Sequence, residues 1–396
     1  MRKKVHSIPI IFISVLILFL TTKQLIADFY YRKAQHDGQE QDRVIGYLEK
    51  CVAIDSGNPL FHFSLGRAYL RKGLAEAAKR GEKNKWVRKS IDEFHRAVEL
   101  EPSNSDYHFH LGRSFGCLPY PPSFYWKVIH NSFKRAAILN PTDVRHLYSL
   151  GLYYLNEYRR FKEVNGNSDE SSPLNYAEYT APSRDNFQLY FRKLLSVNEE
   201  YLGGILENCF SVTQAHTDLK GVIRDVPDDH AFLARFLNRK GLWEESKSEF
   251  QLAIELEPTN KIHYVGYAHA LSKRGCHENA IYWWQKLKAL DPRDERPYLS
   301  SVNDFVRLKR FDEALGELHD LVALYPRNSH YRLKLIETLL AAQRVDEAIN
   351  EYSKIIGETP HFSKATYDMI RHYQQKGNYT KVIRILKKAL SSDINN

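Results

Sequence analysis

Aromatic and arginine side chains recur four residues apart at two places in the amino-terminal half of the chain. Phe63 is followed by Arg67 and Arg71, and Phe109 is followed by Arg113. Residues four apart lie on the same face of a helix. A ring beside a guanidinium group offers a stacking surface and a two-pronged hydrogen-bond donor, which suits an acidic peptide or an anionic sugar. The alternative interpretation is that arginine simply favours a solvated helix face.

Residue combinations typical of enzymes are missing from the sequence. It contains no Gly-x4-Gly-Lys phosphate loop, no Gly-x-Gly-x2-Gly dinucleotide motif, no nucleophile elbow and no His-Glu-x2-His metal motif. We therefore predict no catalytic residues, no cofactor and no enzymatic activity.

Histidine and cysteine spacing does not indicate a metal site or a disulfide framework. The 17 histidines show no recognised ligand spacing, and His62, His108 and His230 each lie four residues before a small residue, which is typical of a packing position. We predict that the chain binds no metal. Cys51 occupies a small-residue position, so we expect a buried, inert thiol there.

The composition describes a folded chain with a moderate excess of positive charge. Of 396 residues, 43% are hydrophobic and 27% are charged, which argues against a disordered chain. The net charge of +9 is spread along the sequence, and no motif that reads nucleic acid accompanies it. We therefore predict no nucleic-acid partner.

The amino terminus predicts a membrane anchor. A basic tail, residues 1–7, precedes an apolar run from Ile8 to Leu20, and residues 8–27 together are long enough to span a bilayer. A cleaved signal peptide is the alternative, although Leu25 fits poorly two residues before a cut after Ala27. We favour a single-pass protein of the inner or plasma membrane with its bulk on the periplasmic or extracytoplasmic side, and a cytoplasmic bulk on the same tether is the alternative.

A helix-ending signal that closes on proline recurs every 34 residues in the carboxy-terminal part of the chain, and related endings occur upstream. A fixed period of this length indicates stacked helical hairpins, each of which buries its apolar face against its neighbours. The prolines are Pro258, Pro292, Pro326 and Pro360, with Pro102 and Pro141 upstream.

This pattern resembles the tetratricopeptide repeat (TPR) family. The first-helix signature Leu-Gly-x2-Tyr is complete at Leu65–Tyr69 and at Leu150–Tyr154, and in the second helices an aromatic residue precedes a small one by three positions, as Phe94 precedes Ala97. The resemblance implies an all-α, right-handed superhelical solenoid of about eight or nine helical hairpins. The amino terminus adds one transmembrane helix before it. The first helices are predicted to begin near Leu25, Pro59, Ser105, Val144, Pro227, Lys261, Glu295, Ser329 and Ser363.

The repeat spacing divides the chain behind the anchor into three parts. Residues 28–162 form an amino-terminal array, residues 163–226 are an insertion, and residues 227–396 form a carboxy-terminal array of five 34-residue repeats. Within the insertion, Val164–Arg184 is rich in Asn, Gly, Ser and Pro, which predicts a loop. A degenerate helical pair is expected after it.

The resemblance also implies where a partner would bind, because first helices line the concave groove in this family. The lysine/asparagine clamp with which some relatives hold carboxylate tails is not matched, since phenylalanine stands where the lysine would be. The implied groove residues are Phe63, Arg67, Arg71, Phe109, Arg113, Arg235, Arg239, Lys273, Arg307 and Arg371.

These observations together predict a membrane-anchored, non-enzymatic scaffold that mediates protein-protein interactions, in bacterial envelope or polysaccharide assembly or export. Its partners would be proteins, with an acidic peptide segment or an anionic glycan as the bound chemistry. The alternative prediction is a glycan- or substrate-binding accessory subunit of a membrane enzyme.

Overall fold

The computed structural model describes residues 7–36, 40–76, 80–118, 122–166, 177–355 and 364–393. These residues form 20 α-helices and one short 3₁₀ helix, and no strand occurs among them. The all-α prediction is thereby confirmed. The chain divides into two compact units, Met1–Gln214 and Ala215–Asn396, which are called the first and the second unit.

In the first unit each odd-numbered helix from α1 to α7 packs against the helix that follows it. A 3₁₀ helix at Glu199–Tyr201 leads into α9 (Leu202–Thr213), which packs on the last odd-numbered helix of this series. The pairs are α1 (Ser7–His36) with α2 (Gln41–Ile54), α3 (Pro59–Ala75) with α4 (Arg80–Leu100), α5 (Ser105–Gly116) with α6 (Pro122–Leu139), and α7 (Val144–Gly166) with α8 (Ala177–Val197).

The second unit begins with the short helix α10 (His216–Val222) and continues with five helix pairs. Seven described first helices in the two units begin at the residue that the repeat spacing predicts, from Pro59 in α3 to Ser329 in α17. The pairs are α11 (Pro227–Lys240) with α12 (Trp243–Leu256), α13 (Lys261–Lys273) with α14 (His277–Leu290), α15 (Glu295–Arg307) with α16 (Phe311–Leu324), α17 (Ser329–Ala341) with α18 (Val345–Ser353), and α19 (Lys364–Gln375) with α20 (Tyr379–Asp393).

Local capping explains why the first helices begin where they do. Asn58 lies immediately before α3, and its side-chain oxygen accepts a hydrogen bond from the backbone N–H of Leu60 at 3.0 Å. Such a cap satisfies one of the backbone donors that a helix start leaves free. Proline at the first position of α3 and α11 fits because its missing N–H would have no helical partner. Equivalent caps are made by Asn104, Asp143, Asn260, Asp294 and Asn328.

Glycine in the first helix allows close approach of the second helix. A Cβ atom added at Gly66 would lie 2.9 Å from the Phe94 ring, and one added at Gly112 would lie 2.8 Å from the Phe133 ring. Both distances are shorter than real Cβ contacts, so the phenylalanine rings occupy the space that any side chain at these positions would need. Gly66 and Gly112 are therefore packing positions between the two helices of a pair.

The amino-terminal helix α1 does not have the properties of a membrane span. In the part of the chain that the structure describes, every helix is too short or too polar to traverse a bilayer. The predicted transmembrane segment at residues 8–27 and the single-pass membrane localisation are therefore wrong. The apolar run gives way to Thr21, Thr22 and Lys23, and one side of the helix then packs on α2, where Ala27 contacts Cys51. Residues 1–6 of the predicted basic tail lie outside the described residues.

The predicted insertion at residues 163–226 is largely helical. Helix α7 continues to Gly166 and α8 begins at Ala177, so much of the predicted loop Val164–Arg184 belongs to helices, and residues 167–176 lie outside the described residues. Helix α8 packs on α7 as the second helix of the fourth pair. Its buried Phe187 and Phe191 form an apolar face that stabilises the packing of α8. The turn-forming residues that precede them in the sequence favoured the prediction of a loop.

Candidate functional site

Equivalent positions of consecutive first helices lie on one face in both units, because α3 contacts α5 and α11 contacts α13. In the first unit this arrangement places the exposed Arg67, Arg71 and Arg113 on what we call the first basic face. In the second unit the exposed Arg235, Arg239 and Lys273 form the second basic face. The remaining predicted arginines, Arg307 on α15 and Arg371 on α19, are exposed on pairs farther along the second unit.

Phe63 and Phe109 do not offer the exposed stacking surface that the sequence predicts. Phe63 is buried against Tyr107 of the next first helix, with ring centroids 4.8 Å apart. Phe109 is buried in the same way and stacks on His146 at 4.3 Å. Phe63 and Phe109 face the neighbouring first helix, so both rings are buried in the packing between consecutive first helices. The stacking argument for a bound sugar is lost with them.

The buried rings instead support the arginines of the basic faces. The Arg67 guanidinium carbon lies 5.6 Å from the centroid of the Phe63 ring. In the second unit Arg239 lies 5.8 Å from the ring of Phe236, which is buried. A guanidinium group over a ring is attracted by its negative face, and the contact restricts the arginine before any ligand arrives.

His110 is a residue of the first basic face that the sequence prediction did not include. Burial, together with the positive charges of Arg67 and Arg113, lowers the pKa of His110 to about 4. The imidazole is therefore neutral near pH 7. Because both guanidinium groups act on the same imidazole, they lie close to the same part of the surface. The available signal in the sequence was the three-residue spacing to Arg113, which puts both residues on one side of α5.

Two arginines near the turns of the second unit are paired with carboxylates, whereas the cations of the basic faces are not. Arg310 binds Glu278 and Glu313, and Arg344 binds Asp312 and Glu347. None of the six basic-face cations is within 4.0 Å of a carboxylate oxygen of the described residues. These groups are Arg67, Arg71, Arg113, Arg235, Arg239 and Lys273.

Arg235 of α11 lies beside Gly266 of α13. A Cβ added at Gly266 would lie 3.7 Å from Nη1 of Arg235, an ordinary contact distance, so the guanidinium group lies against the neighbouring first helix. His269 lies one turn further along α13, and its pKa is lowered by burial and by the charge of Lys273. The second basic face thus combines two guanidinium groups, an ammonium group and an imidazole that is neutral near pH 7.

The histidines at the recurring position before the small residue are structural. His62 Nε2 donates to the backbone oxygen of Ser56 at 3.0 Å, and His108 Nε2 donates to that of Pro102 at 2.9 Å. Each bond joins the histidine in the first helix to a turn residue six positions earlier in the chain. Tyrosine at the same position makes the same bond in the second unit, from Tyr264 to Pro258 and from Tyr298 to Pro292.

Three side chains of the first unit have the chemistry of metal ligands and lie together. Asp106 is the second residue of α5, Asp143 precedes α7, and His146 is the third residue of α7. Each offers a ligand atom within 4.8 Å of those of the other two. No local pattern indicates this group, because the two aspartates are 37 positions apart and meet only when consecutive hairpins stack.

Residues 299–361 match the model of a tetratricopeptide repeat family. The resemblance is confirmed for that part of the chain, where α15 to α18 form two of the helix pairs. No curated protein matches the chain.

Several solved structures share a low level of similarity with the chain. MamA from Desulfovibrio magneticus is 15% identical over 44% of this chain and 98% of its own, with a TM-score of 0.33. Yeast Tom70 is 15% identical over 93% of this chain and 85% of its own, with a TM-score of 0.29. A tetratricopeptide repeat protein from Parabacteroides merdae is 15% identical over 80% of this chain and 99% of its own, with a TM-score of 0.33. Likeness at this level carries no functional argument.

Proposed function

We propose that the chain is a non-enzymatic scaffold that binds an acidic segment of a partner protein on the first basic face. The observation that carries this proposal is that Arg67, Arg71 and Arg113 lack carboxylate partners among the described residues, whereas Arg310 and Arg344 near the turns have them. A tetratricopeptide-type array is suited to protein-protein interaction because stacked hairpins present an extended surface.

The chemistry of the face selects carboxylates over neutral groups. Each guanidinium group provides a planar pair of N–H donors that matches the two oxygens of a carboxylate. The Phe63 ring under Arg67 limits the motion of that side chain, which reduces the entropy lost on binding. Because the arginines are exposed, a single ion pair would contribute only about 0–1 kcal/mol, so affinity depends on several contacts made together.

The second basic face offers the same chemistry in the second unit. Arg235 and Arg239 follow each other by one turn on α11, as Arg67 and Arg71 do on α3. Lys273 lies at the position of α13 that corresponds to Arg239. We include this face as a further binding surface for acidic segments.

The earlier assignment to envelope or polysaccharide assembly depended on the membrane-spanning helix and is not part of this proposal. The glycan-binding alternative depended on exposed Phe63 and Phe109, which are buried. An acidic protein segment needs the arginines as exposed contacts and does not need exposed rings.

The proposal is tested by fluorescence anisotropy with a labelled peptide rich in glutamate. We expect the double variant Arg67→Glu with Arg113→Glu to weaken binding by at least about tenfold, since attraction becomes repulsion at two contacts. The matched control is Lys134→Glu with Arg135→Glu, which makes the same charge change at exposed positions of the second helix α6. Thermal unfolding should be unaltered in both. Equal weakening by both pairs, or none by the first, would contradict the proposal.

A further inference from the structure

Two side chains of the first basic face contact the same aromatic ring. The guanidinium carbon of Arg67 lies 5.6 Å from the centroid of the Phe63 ring, and the His110 ring lies 5.2 Å from it in an edge arrangement. Arg113 follows His110 by three residues, on the same side of α5. Phe63 and Arg67 belong to α3, which contacts α5. Two guanidinium groups and one imidazole therefore lie around the junction of these two first helices.

The imidazole of His110 is buried on one edge and open on the other. Its ring lies 5.4 Å from that of the buried Phe94 at an interplanar angle of 28°, and its Nδ1 atom is buried without a hydrogen-bond partner among the described residues. The side chain as a whole is nevertheless partly exposed. A neutral imidazole carries a single N–H. Nε2 is therefore the position from which His110 can donate to a group outside the protein.

The protein itself does not neutralise the charge at this junction. Neither Arg67 nor Arg113 forms an ion pair with a carboxylate of the described residues. Burial lowers the pKa of His110 to about 4, and the charges of the two arginines contribute to the shift. Asp106 of α5 opposes it, but its Oδ1 atom lies 2.7 Å from Nε2 of His146 on α7, whose charge lowers the pKa of His110 further. Near pH 7 the junction thus holds two positive charges and one neutral donor.

We propose that Arg67, His110 and Arg113 bind a phosphate group, so that the acidic segment of the partner protein carries a phosphorylated serine or threonine. This inference rests on the proposed function and names the anchor of its ligand. Such a phosphate carries about −1.5 to −2 charges near pH 7 and has three acceptor oxygens, which match two guanidinium groups and one imidazole N–H. A carboxylate has a single charge and two oxygens, so it would leave one guanidinium group without a charged partner.

Arg71 has a different part in this arrangement. It lies one turn beyond Arg67 on α3 and is exposed, away from the imidazole on α5. We expect Arg71 to contact carboxylates that flank the phosphate in the bound segment. Its removal should therefore weaken acidic peptides with and without phosphate to the same extent, which makes it the matched control for the three anchor residues.

The test is fluorescence anisotropy with the full chain and labelled peptides that differ at one position of a glutamate-rich sequence. That position holds phosphoserine, glutamate or a pair of adjacent glutamates, of which the pair matches the charge of the phosphate. We expect the phosphoserine peptide to bind at least about tenfold more tightly than the paired-glutamate peptide. Equal affinity of these two would overturn the inference and leave the proposed function intact. Absence of binding by every peptide would contradict both.

Three variants distinguish the anchor from general attraction by positive charge. His110→Phe keeps an aromatic ring against Phe63 and Phe94 but removes the donor, and Arg113→Gln removes one of the two charges. We expect each to reduce the preference for phosphoserine over paired glutamates by at least about threefold. Arg71→Gln should weaken both peptides and leave the preference unchanged, and thermal unfolding verifies that each variant is folded. A preference that survives in His110→Phe and Arg113→Gln, or that is lost equally in Arg71→Gln, would overturn the proposal.

The pH dependence of binding tests whether His110 acts as a neutral donor. Phosphoserine becomes dianionic with a pKa of about 6, whereas the pKa of His110 of about 4 keeps the imidazole neutral through that range. We expect the affinity for the phosphoserine peptide to rise by up to about fourfold between about pH 5.5 and about pH 7.5, relative to the paired-glutamate peptide, which stays ionised. A relative affinity that stays constant or falls would show that the dianion and the neutral imidazole are not the bound pair, and would overturn the proposal.

Discussion

The ring of Phe191 lies directly over Gly151, and a Cβ atom at that glycine would collide with it. This contact joins α7 to α8 in the way that Gly112 and Phe133 join α5 to α6. Glycine weakens a helix by about 1 kcal/mol relative to alanine. In these helices the loss is outweighed by closer packing between the two members of a pair.

The surroundings of Gly112 and Gly46 predict that replacement by alanine changes the free energy of unfolding in opposite directions at the two positions. Gly112→Ala should lower the free energy of unfolding by about 1–3 kcal/mol, because the added methyl group forces the Phe133 ring to move. Gly46→Ala should instead raise it by up to about 1 kcal/mol, since nothing lies within 4 Å of the new Cβ atom in α2. Urea unfolding of the two variants measures both changes, and destabilisation of equal size would refute the packing argument.

The buried thiol of Cys51 should resist alkylation in the folded protein. Cys51 is fully buried, its Sγ atom lies 3.3 Å from the backbone oxygen of Ala27, and burial raises its pKa to about 11. Little reactive thiolate forms near pH 8, and reagent cannot reach it. Treatment with N-ethylmaleimide followed by peptide mass spectrometry should show modification of the partly exposed Cys276 before that of Cys51. Equal rates for both would contradict the structure.

Asp304 holds three donors in the core of the second unit. Its carboxylate accepts from Ser272 at 2.8 Å, from His277 at 2.7 Å and from the indole N–H of Trp284 at 3.0 Å. Asp304→Ala leaves these groups unsatisfied, so we expect a loss of about 3–5 kcal/mol of stability. Unfolding monitored by tryptophan fluorescence tests this, with Asn303→Ala at the neighbouring exposed position as the control. Similar stability of the two variants would show that the network contributes little.

Glu249 and two histidines form a buried charged cluster in the second unit. Oε1 of Glu249 lies 2.7 Å from Nε2 of His216, and Oε2 lies 2.5 Å from Nδ1 of His230. Burial alone would raise the pKa of Glu249, but the hydrogen bonds from both histidines outweigh it and lower the pKa to about 2. Burial also disfavours charge on His230, yet its bonds to Glu249 and Asp225 prevail and raise its pKa. Lys220 adds a further positive charge 3.7 Å from Glu249.

These two shifts set the pH range in which the cluster stabilises the fold. The contribution of His230 is fully present below its unfolded pKa near 6.5 and is lost as pH rises through the raised folded value. That of Glu249 is present above its unfolded pKa near 4.5 and is lost as pH falls toward 2. Stability from the cluster is therefore greatest between about pH 4.5 and about pH 6.5.

Glu249→Gln should remove most of this pH dependence. We expect the Tm of the wild type to fall more steeply than that of Glu249→Gln as pH rises above about 6.5, because the variant keeps only the exposed Asp225 as a charged partner of His230. His330→Gln, at an exposed histidine of the same unit, is the control and should follow the wild type. Parallel curves for wild type and Glu249→Gln would contradict this account.

The helix starts were predictable because their signals are local. The cap at Asn58, the proline at Pro59 and the glycine at Gly66 lie within nine residues of one another, and each has the same meaning in any stacked hairpin. A helix was expected after Arg184, but the start of α8 at Ala177 was missed because its first two turns lie in a turn-rich segment. The position of α8 depends on its packing against α7. A short stretch of sequence does not show which residues of two helices will meet.

The errors at the candidate site have a related cause. Phe63 and Phe109 were assigned to the surface by analogy with a groove, whereas the space between consecutive first helices is narrow enough to bury them. His110 and the group around His146 involve residues from neighbouring hairpins, so their surroundings depend on how the hairpins stack. The predicted membrane span was extended beyond the apolar run of α1 as far as Ala27. The sequence contains no local sign that Ala27 packs on Cys51 of α2.

Six of the described first helices are capped by the residue immediately before them, which affects how such a chain can change length. The signal that begins α13 lies at Asn260, and the signal that begins α15 lies at Asp294, so each 34-residue block carries its own start. Duplication or loss of a whole block would leave every remaining start signal in place. Growth by unequal recombination is therefore compatible with folding at each step, and the same property makes single blocks exchangeable modules for engineering.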